Sequence, residues 1–253
     1  MKTVRLTAAV GCVLLAAACG PSATKAEPAS PSPSPSTARP APPADQGPQC
    51  AGDSAAKGIH VLRGGTVQLP GGAGPVLYKE ARADGASRTA VLTNGTGTGT
   101  AQAGTETWPV TPGGSLTVGG AAYTVSQICT YRVVLTPKDQ KNVTEAPKPA
   151  SEATWPSLVD GRFRLRWHVP NNEYGGQYSA VVTEINPGPR ADISIASRDG
   201  GDASYSDARP GDTLEFAGRL WKVSAIDAGD GNPAGSNPDS GWVDLQLIGP
   251  AGG

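Results

Sequence analysis

Apolar residues in the second part of this chain mostly come one at a time, at every second position, in short runs. Leu116 and Val118 alternate with Ser115 and Thr117, and Tyr123, Val125 and Ile128 follow beyond Gly120. Pro112-Gly113 supplies a turn before the pair and Gly120 a tight reversal inside it, so residues 112–128 spell a β-hairpin with one buried face. The run recurs without a gap 98 residues later, as Pro210-Gly211, Leu214, Phe216, Gly218, Trp221, Val223 and Ile226. Tyr123 and Trp221 fall at the same place, and the apolar positions around each are expected to share one face. Strand signals precede each hairpin, at 75–78 and 88–93 in the first copy and at 179–182 and 190–195 in the second. A closing strand follows each, at 131–135 and 242–248.

The pattern predicts an all-β protein: two tandem small antiparallel β-barrel or sandwich domains of about ninety residues each. The first covers residues 50–137 and the second 157–250. A polar, Pro-bearing linker at 138–156 separates them, with the cut near Ala150. With 34 glycines and 24 prolines, nearly a quarter of the chain suits turns and short strands better than helices.

The first 49 residues follow another pattern. Lys2 and Arg5 precede an uncharged run, Leu6 to Ala18, that is long enough for the apolar part of a secretion signal and too short to cross a bilayer. Residues 1–18 are therefore expected to be a signal peptide. The run ends in Leu14-Leu15-Ala16-Ala17-Ala18-Cys19-Gly20. This resembles the lipobox of secreted bacterial lipoproteins, in which small residues precede a cysteine whose thiol takes a diacylglyceryl group. The family pattern favours Leu three residues before the cysteine; here Ala16 stands there and Leu15 one step earlier. The resemblance implies that Cys19 carries lipid, with acyl groups of the palmitate type, and holds the chain at the extracellular face of the cell membrane. Cys12 has too short an apolar run before it to compete. The alternative is an ordinary cut after an Ala-x-Ala site, which would release a soluble protein.

Residues 19–49 are mostly Pro, Ala and Ser, including Pro31-Ser32-Pro33-Ser34-Pro35-Ser36, and bury too little to offset the entropy of ordering. Such a segment reads as a disordered spacer reaching on the order of 80–90 Å in polyproline geometry. Once Cys19 is lipidated and Cys12 removed with the signal, Cys50 and Cys129 remain. In an exported chain an even pair is most simply a disulfide, here stapling the start of the first domain to one of its last strands. No Cys-x-x-Cys motif offers a redox reading.

Charge excludes one class of partner. The 21 basic residues include Lys2 and Arg5 of the signal, so 19 face 22 acids in the remainder, scattered singly, and no basic stripe marks a nucleic-acid binder. Candidate chemistry is sparse. His60 and His168 fall one in each domain, and no Gly-x-Ser-x-Gly elbow accompanies either, so an envelope hydrolase has no positive support. The Asp/Gly-rich stretches 199–207 and 227–239 offer oxygen ligands suited to calcium but lack the spacing of an EF-hand, and the same residues also build turns. The run 95–100 lacks the following Lys and helix of a phosphate cradle. Trp108 and Trp155, each before a proline, could meet a glycan or a protein or simply pack at a domain edge.

The motif Arg209-Pro210-Gly211-Asp212-Thr213-Leu214, followed by Gly218, Trp221 and Val223, resembles a small β domain of actinobacterial secreted proteins, covering about ninety residues per copy. The resemblance implies a fold and an extracellular address and brings no catalytic residue and no cofactor. The sequence thus leads to a non-enzymatic, surface-anchored lipoprotein that binds or scaffolds in the cell envelope, its partner an envelope protein or glycan. A cell-wall-acting enzyme and a calcium-dependent adhesion module stand as alternatives.

Overall fold

The computed structural model describes residues 47–54, 57–85, 87–95, 106–139, 161–173, 178–198, 202–229 and 241–251. The expected signal peptide (1–18), Cys19, nearly all of the expected spacer (19–49) and the expected linker beyond Asp139 lie outside them. Residues Pro43–Gly253 form one compact unit. Its first half contains β1 (Cys50–Gly52), β2 (Ile59–Leu62), β3 (Thr66–Leu69), β4 (Gly74–Asp84), β5 (Ser87–Thr93), β6 (Thr107–Val110), β7 (Ser115–Val118), β8 (Ala121–Cys129) and β9 (Arg132–Pro137). The second contains β10 (Arg162–Arg166), β11 (Asn171–Glu173), β12 (Tyr178–Asn186), β13 (Arg190–Ser197), β14 (Ala203–Ala208), β15 (Thr213–Phe216), β16 (Arg219–Asp227) and β17 (Trp242–Pro250). One turn of 3-10 helix, Pro70–Gly72, is the only other element among the described residues.

The protein is all-β, as the alternation predicts, and its strands pair antiparallel in four sheets. None closes into a barrel, so the barrel expectation gives way to open sheets packed on one another. In the first half β2-β9-β8 is extended by β7 and β1, and β3-β4-β5-β6 forms the second layer. In the second half β10-β17-β16-β15 faces β11-β12-β13-β14. Leaving β1 aside, the strand orders are the same, and the register repeats in detail. Leu116 pairs with Tyr123 and Leu214 with Trp221. A bulge interrupts β8 between Val125 and Gln127 and β16 between Val223 and Ala225.

That bulge explains how residues of opposite parity share a face. Strict alternation from Val125 would turn Ile128 outward; the extra residue returns it to the core, where it is fully buried. Tyr123 and Trp221 are 2% and 0% exposed. Trp221 stacks on Phe216 at 5.0 Å between ring centres and meets Phe163 at 6.0 Å. One apolar core lies between the two layers of the first half; the other lies in the second half and takes in Leu62, Cys129 and Tyr131 of the first.

The tight reversal is where the copies differ. Gly119 and Gly120 have φ of 53° and 83°, as a two-residue hairpin with the favoured twist requires, whereas the second copy sets Ala217 at 51° before Gly218 at 66°. A methyl group on Gly119 would meet the Ala73 carbonyl oxygen at 2.3 Å, so the first hairpin needs glycine for space as well as for φ.

Candidate functional site

Three places gather polar chemistry: the seam between the halves, the point where the Pro-rich stretch ends, and the outer face of the β10–β17 sheet.

At the seam, β15 lies on the outer face of β9 and β2. Leu214 and Phe216 point into the second core, so the residues between and before them, Glu215 and Thr213, face the first half. Glu215 Oε1 accepts from His60 Nδ1 at 2.6 Å and Oε2 from Arg132 Nη1 at 2.9 Å. Arg132 also donates to the Ala251 carbonyl at 2.6 Å and, through Nε and Nη2, to Gln127 Oε1 at 3.0 and 2.9 Å. Gln127 Nε2 in turn donates to the Asp53 carbonyl at 2.9 Å. Tyr205, fully buried, donates to the Glu215 carbonyl and accepts from the Glu215 amide. Burial, followed by the Glu215 carboxylate, raises its hydroxyl pKa well above the ordinary tyrosine value. Arg132 and Glu215 are 6% and 4% exposed, and both carboxylate oxygens are engaged within the protein. The cluster is a tie between halves, each carboxylate oxygen of Glu215 accepting a hydrogen bond from the first half. Close backbone approach completes the seam: Ser204 N donates to the Arg63 carbonyl at 2.7 Å, and a methyl on Gly65 would lie 1.6 Å from the Asp202 carbonyl oxygen.

Where the Pro-rich stretch ends, the Pro48 carbonyl accepts two bonds from the buried Arg88, at 3.0 and 2.6 Å. The Gln49 carbonyl accepts from Thr130 N at 2.9 Å, and its side chain donates to Thr213 Oγ1 of the second half at 2.8 Å. Cys50 is bonded to Cys129, its register partner across β1 and β8. Four consecutive anchoring points thus lie within three residues of the end of the Pro-rich segment.

On the β10–β17 sheet, Phe163 and Leu165 fill the core while Arg162, Arg164 and Arg166 are exposed on the other side. Arg164 lies 3.8 Å above the Trp242 ring and makes a two-point contact with Asp244 at 2.7 and 2.8 Å. The hydrogen bond that Arg164 donates to the Asp244 carboxylate, partly offset by desolvation, raises the Arg164 pKa further. Gln246 and Lys222 extend the same polar surface.

The structure separates the two histidines predicted from sequence. His60 belongs to the seam tie. His168 occupies a turn with φ 56°, the place held in the first half by Gly64 at 65°; its amide bonds the Val182 carbonyl as that of Gly64 bonds Tyr78. Its ring lies 4.8 Å from Trp167 and donates to the Thr183 carbonyl. In the acidic stretches, Asp227 caps the Gly229 amide, Asp202 caps Ser197 and Asp207 pairs with Arg190. Among the described residues no three His, Cys, Asp or Glu side chains converge. Trp108 is half-buried against the first core. Trp155 and residues 96–100, 199–201 and 230–240 lie outside the described residues, as do Cys19 and residues 1–18. Among the described residues no helix is long and apolar enough to cross a membrane.

Sequence reasoning missed Glu215, Arg132, Gln127 and the Arg164–Trp242–Asp244 group. Only the arginines left a signal, as alternate charges flanking Phe163 and Leu165. Compared with protein families, curated proteins and solved structures, the chain matches none of them.

Proposed function

We propose that this protein is a lipoprotein held at the extracellular face of the cell membrane through Cys19, whose two halves, tandem copies of one β domain, serve a non-catalytic binding or scaffolding role in the envelope. The observation that carries it is the fastening of residues 48–50. The chain emerges from its Pro-rich spacer straight into two backbone acceptors, a side-chain bond that reaches the second half, and a disulfide. A tethered domain needs its tether fixed to the core, because any pull on the anchor acts first on the residues that join them; a free tail needs nothing of the kind. The apolar run before Cys19 and the spacer of residues 19–49 support the same reading from sequence.

The test is metabolic labelling of expressing cells with a fatty-acid analogue. The wild type should take up label and stay with the membrane fraction, and Cys19→Ala should take up none. Label persisting in that variant sinks the anchor.

A further inference from the structure

We propose that the Cys50–Cys129 bond is the bolt of a redox latch: a dithiol reductant that opens it releases β1 from the edge of β8 and loosens the seam between the two halves. The inference goes beyond the role proposed above and does not depend on Cys19. Among the described strands β1 pairs with β8 alone, over three residues. The short segment around it nevertheless reaches the second half by separate routes. Gln49 Nε2 donates to Thr213 Oγ1 of β15 at 2.8 Å. The Asp53 carbonyl accepts from Gln127 Nε2 at 2.9 Å, Gln127 Oε1 accepts from Arg132, and Arg132 donates to Glu215, so a relay of side chains leads from the end of β1 to the same β15. Cys129 itself is fully buried and belongs, with Tyr131, to the core of the second half.

Register shows what the sulfur bridge holds. Thr130 N donates to the Gln49 carbonyl and Asp53 N to the Ser126 carbonyl, so Cys50 and Cys129 face each other where the antiparallel ladder carries no backbone bond across. A ladder this short gains little from its few hydrogen bonds, and the cross-link is what spares it the entropy of closing. Cys50 is partly exposed and Cys129 is not, so an incoming thiolate reaches Cys50 Sγ. It forms an S–S bond to Cys50 as the Cys50–Cys129 bond breaks, and the electron pair goes to Cys129 Sγ, which takes up a proton. The second thiolate of the reductant then displaces Cys50 Sγ, beside which the Tyr131 hydroxyl stands at 3.5 Å, and that sulfur is protonated in turn. The reductant leaves as its own disulfide, its two protons now on the two cysteines. Residues 49–53 can then swing out between Pro48, held by Arg88, and Lys57, whose carbonyl accepts from Thr136. Gln49 leaves Thr213 and Asp53 leaves Gln127, which removes one tie to β15 and unsettles the relay to the other.

The experiment follows amide hydrogen exchange by mass spectrometry in the full chain, oxidised and after reduction with dithiothreitol, with the state of Cys50 and Cys129 read by peptide mapping. Reduction should speed exchange in β1 by roughly a hundredfold or more and in β15 by roughly tenfold. In β12, which pairs with β11 and β13 and takes no part in the seam, the change should stay below about twofold. Gln49→Ala, at an exposed position, leaves the disulfide in place; in the oxidised protein it should speed exchange in β15 by roughly two- to fivefold and narrow the further gain on reduction. Glutathione, a monothiol, should be found as a mixed disulfide on Cys50 and not on Cys129. Resistance of the folded protein to dithiothreitol, unchanged exchange in β15, acceleration in β12 equal to that in β15, or glutathione on Cys129 overturns the proposal.

Discussion

Replacing Glu215 with Gln tests whether the buried tie holds the halves together. The change keeps shape and volume and removes one charge. Gln offers one acceptor where the carboxylate offered two, and its amide would point a donor at either Arg132 or His60, both donors themselves. Removing one member of a buried ion pair generally costs about 3–5 kcal/mol, because the other charge is left uncompensated. Here Arg132 keeps its bonds to Gln127 and Ala251, and the His60 side chain is 21% exposed and within reach of water, so the lower end applies, about 3 kcal/mol. For a folded unit of this size that lowers Tm by roughly 6–12 °C. Urea unfolding followed by Trp fluorescence measures it directly. Arg132→Met added to Glu215→Gln removes the stranded charge, so the double variant should be more stable than the sum of the two single losses by about 1–3 kcal/mol. A Glu215→Gln cost below about 0.5 kcal/mol, or strict additivity in the double variant, would show that the cluster is solvated and that the halves are joined by something else.

Three further outcomes follow from other parts of the fold. Reducing the Cys50–Cys129 bond, which closes a loop of 79 residues, should cost about 4.5 kcal/mol in the chain-entropy account, read as a drop in the urea midpoint; freshly isolated protein with two free thiols would refute the pairing. Gly119→Ala should destabilise by at least about 2 kcal/mol, since its methyl meets a backbone oxygen, while Ala217→Gly at the equivalent place should be neutral or stabilising by up to about 1 kcal/mol; equal effects in thermal melts would refute the reading of the turns. Tyr205 has a folded-state pKa raised by burial, so the neutral hydroxyl is the form the fold prefers. Its contribution is complete below the unfolded value of about 10 and is lost as pH rises beyond it. Tyr205→Phe should therefore flatten the fall in stability above about pH 10 at a cost of about 1 kcal/mol at neutral pH, and an unchanged alkaline slope would contradict this.

Much of the fold was legible because it is written locally. Alternation, Pro-Gly turns and a tight glycine reversal define each hairpin, and a gap-free repeat ties Tyr123 to Trp221 before any coordinates are seen. The cysteine pair was legible because, of four cysteines, Cys12 and Cys19 fall in the expected signal and lipidation site, which leaves Cys50 and Cys129 to pair. The bulges in β8 and β16 were not, because one extra residue in a strand changes no apolar count and shows only as a parity slip at Ile128 and Ile226. Barrel closure was likewise beyond sequence, since it depends on whether edge strands meet, and these do not.

What the sequence alone determined is the strand content, the repeated strand pattern, the apolar positions of each core and the place where the Pro-rich stretch ends. Tertiary structure alone decided how the halves meet. Glu215 is separated by 83 residues from Arg132 and by 155 from His60, and no local pattern links an acid on one short strand to a histidine and an arginine on two others. It also decided what surrounds the matching sheet face in each copy. In the chain Arg162, Arg164 and Arg166 alternate with apolar residues, whereas the corresponding face of β2 and β9 sets Leu62 and Val134 beside His60 and Arg132; contact with Glu215 of β15 leaves Arg132 buried and His60 partly so, while the three arginines of β10 are exposed.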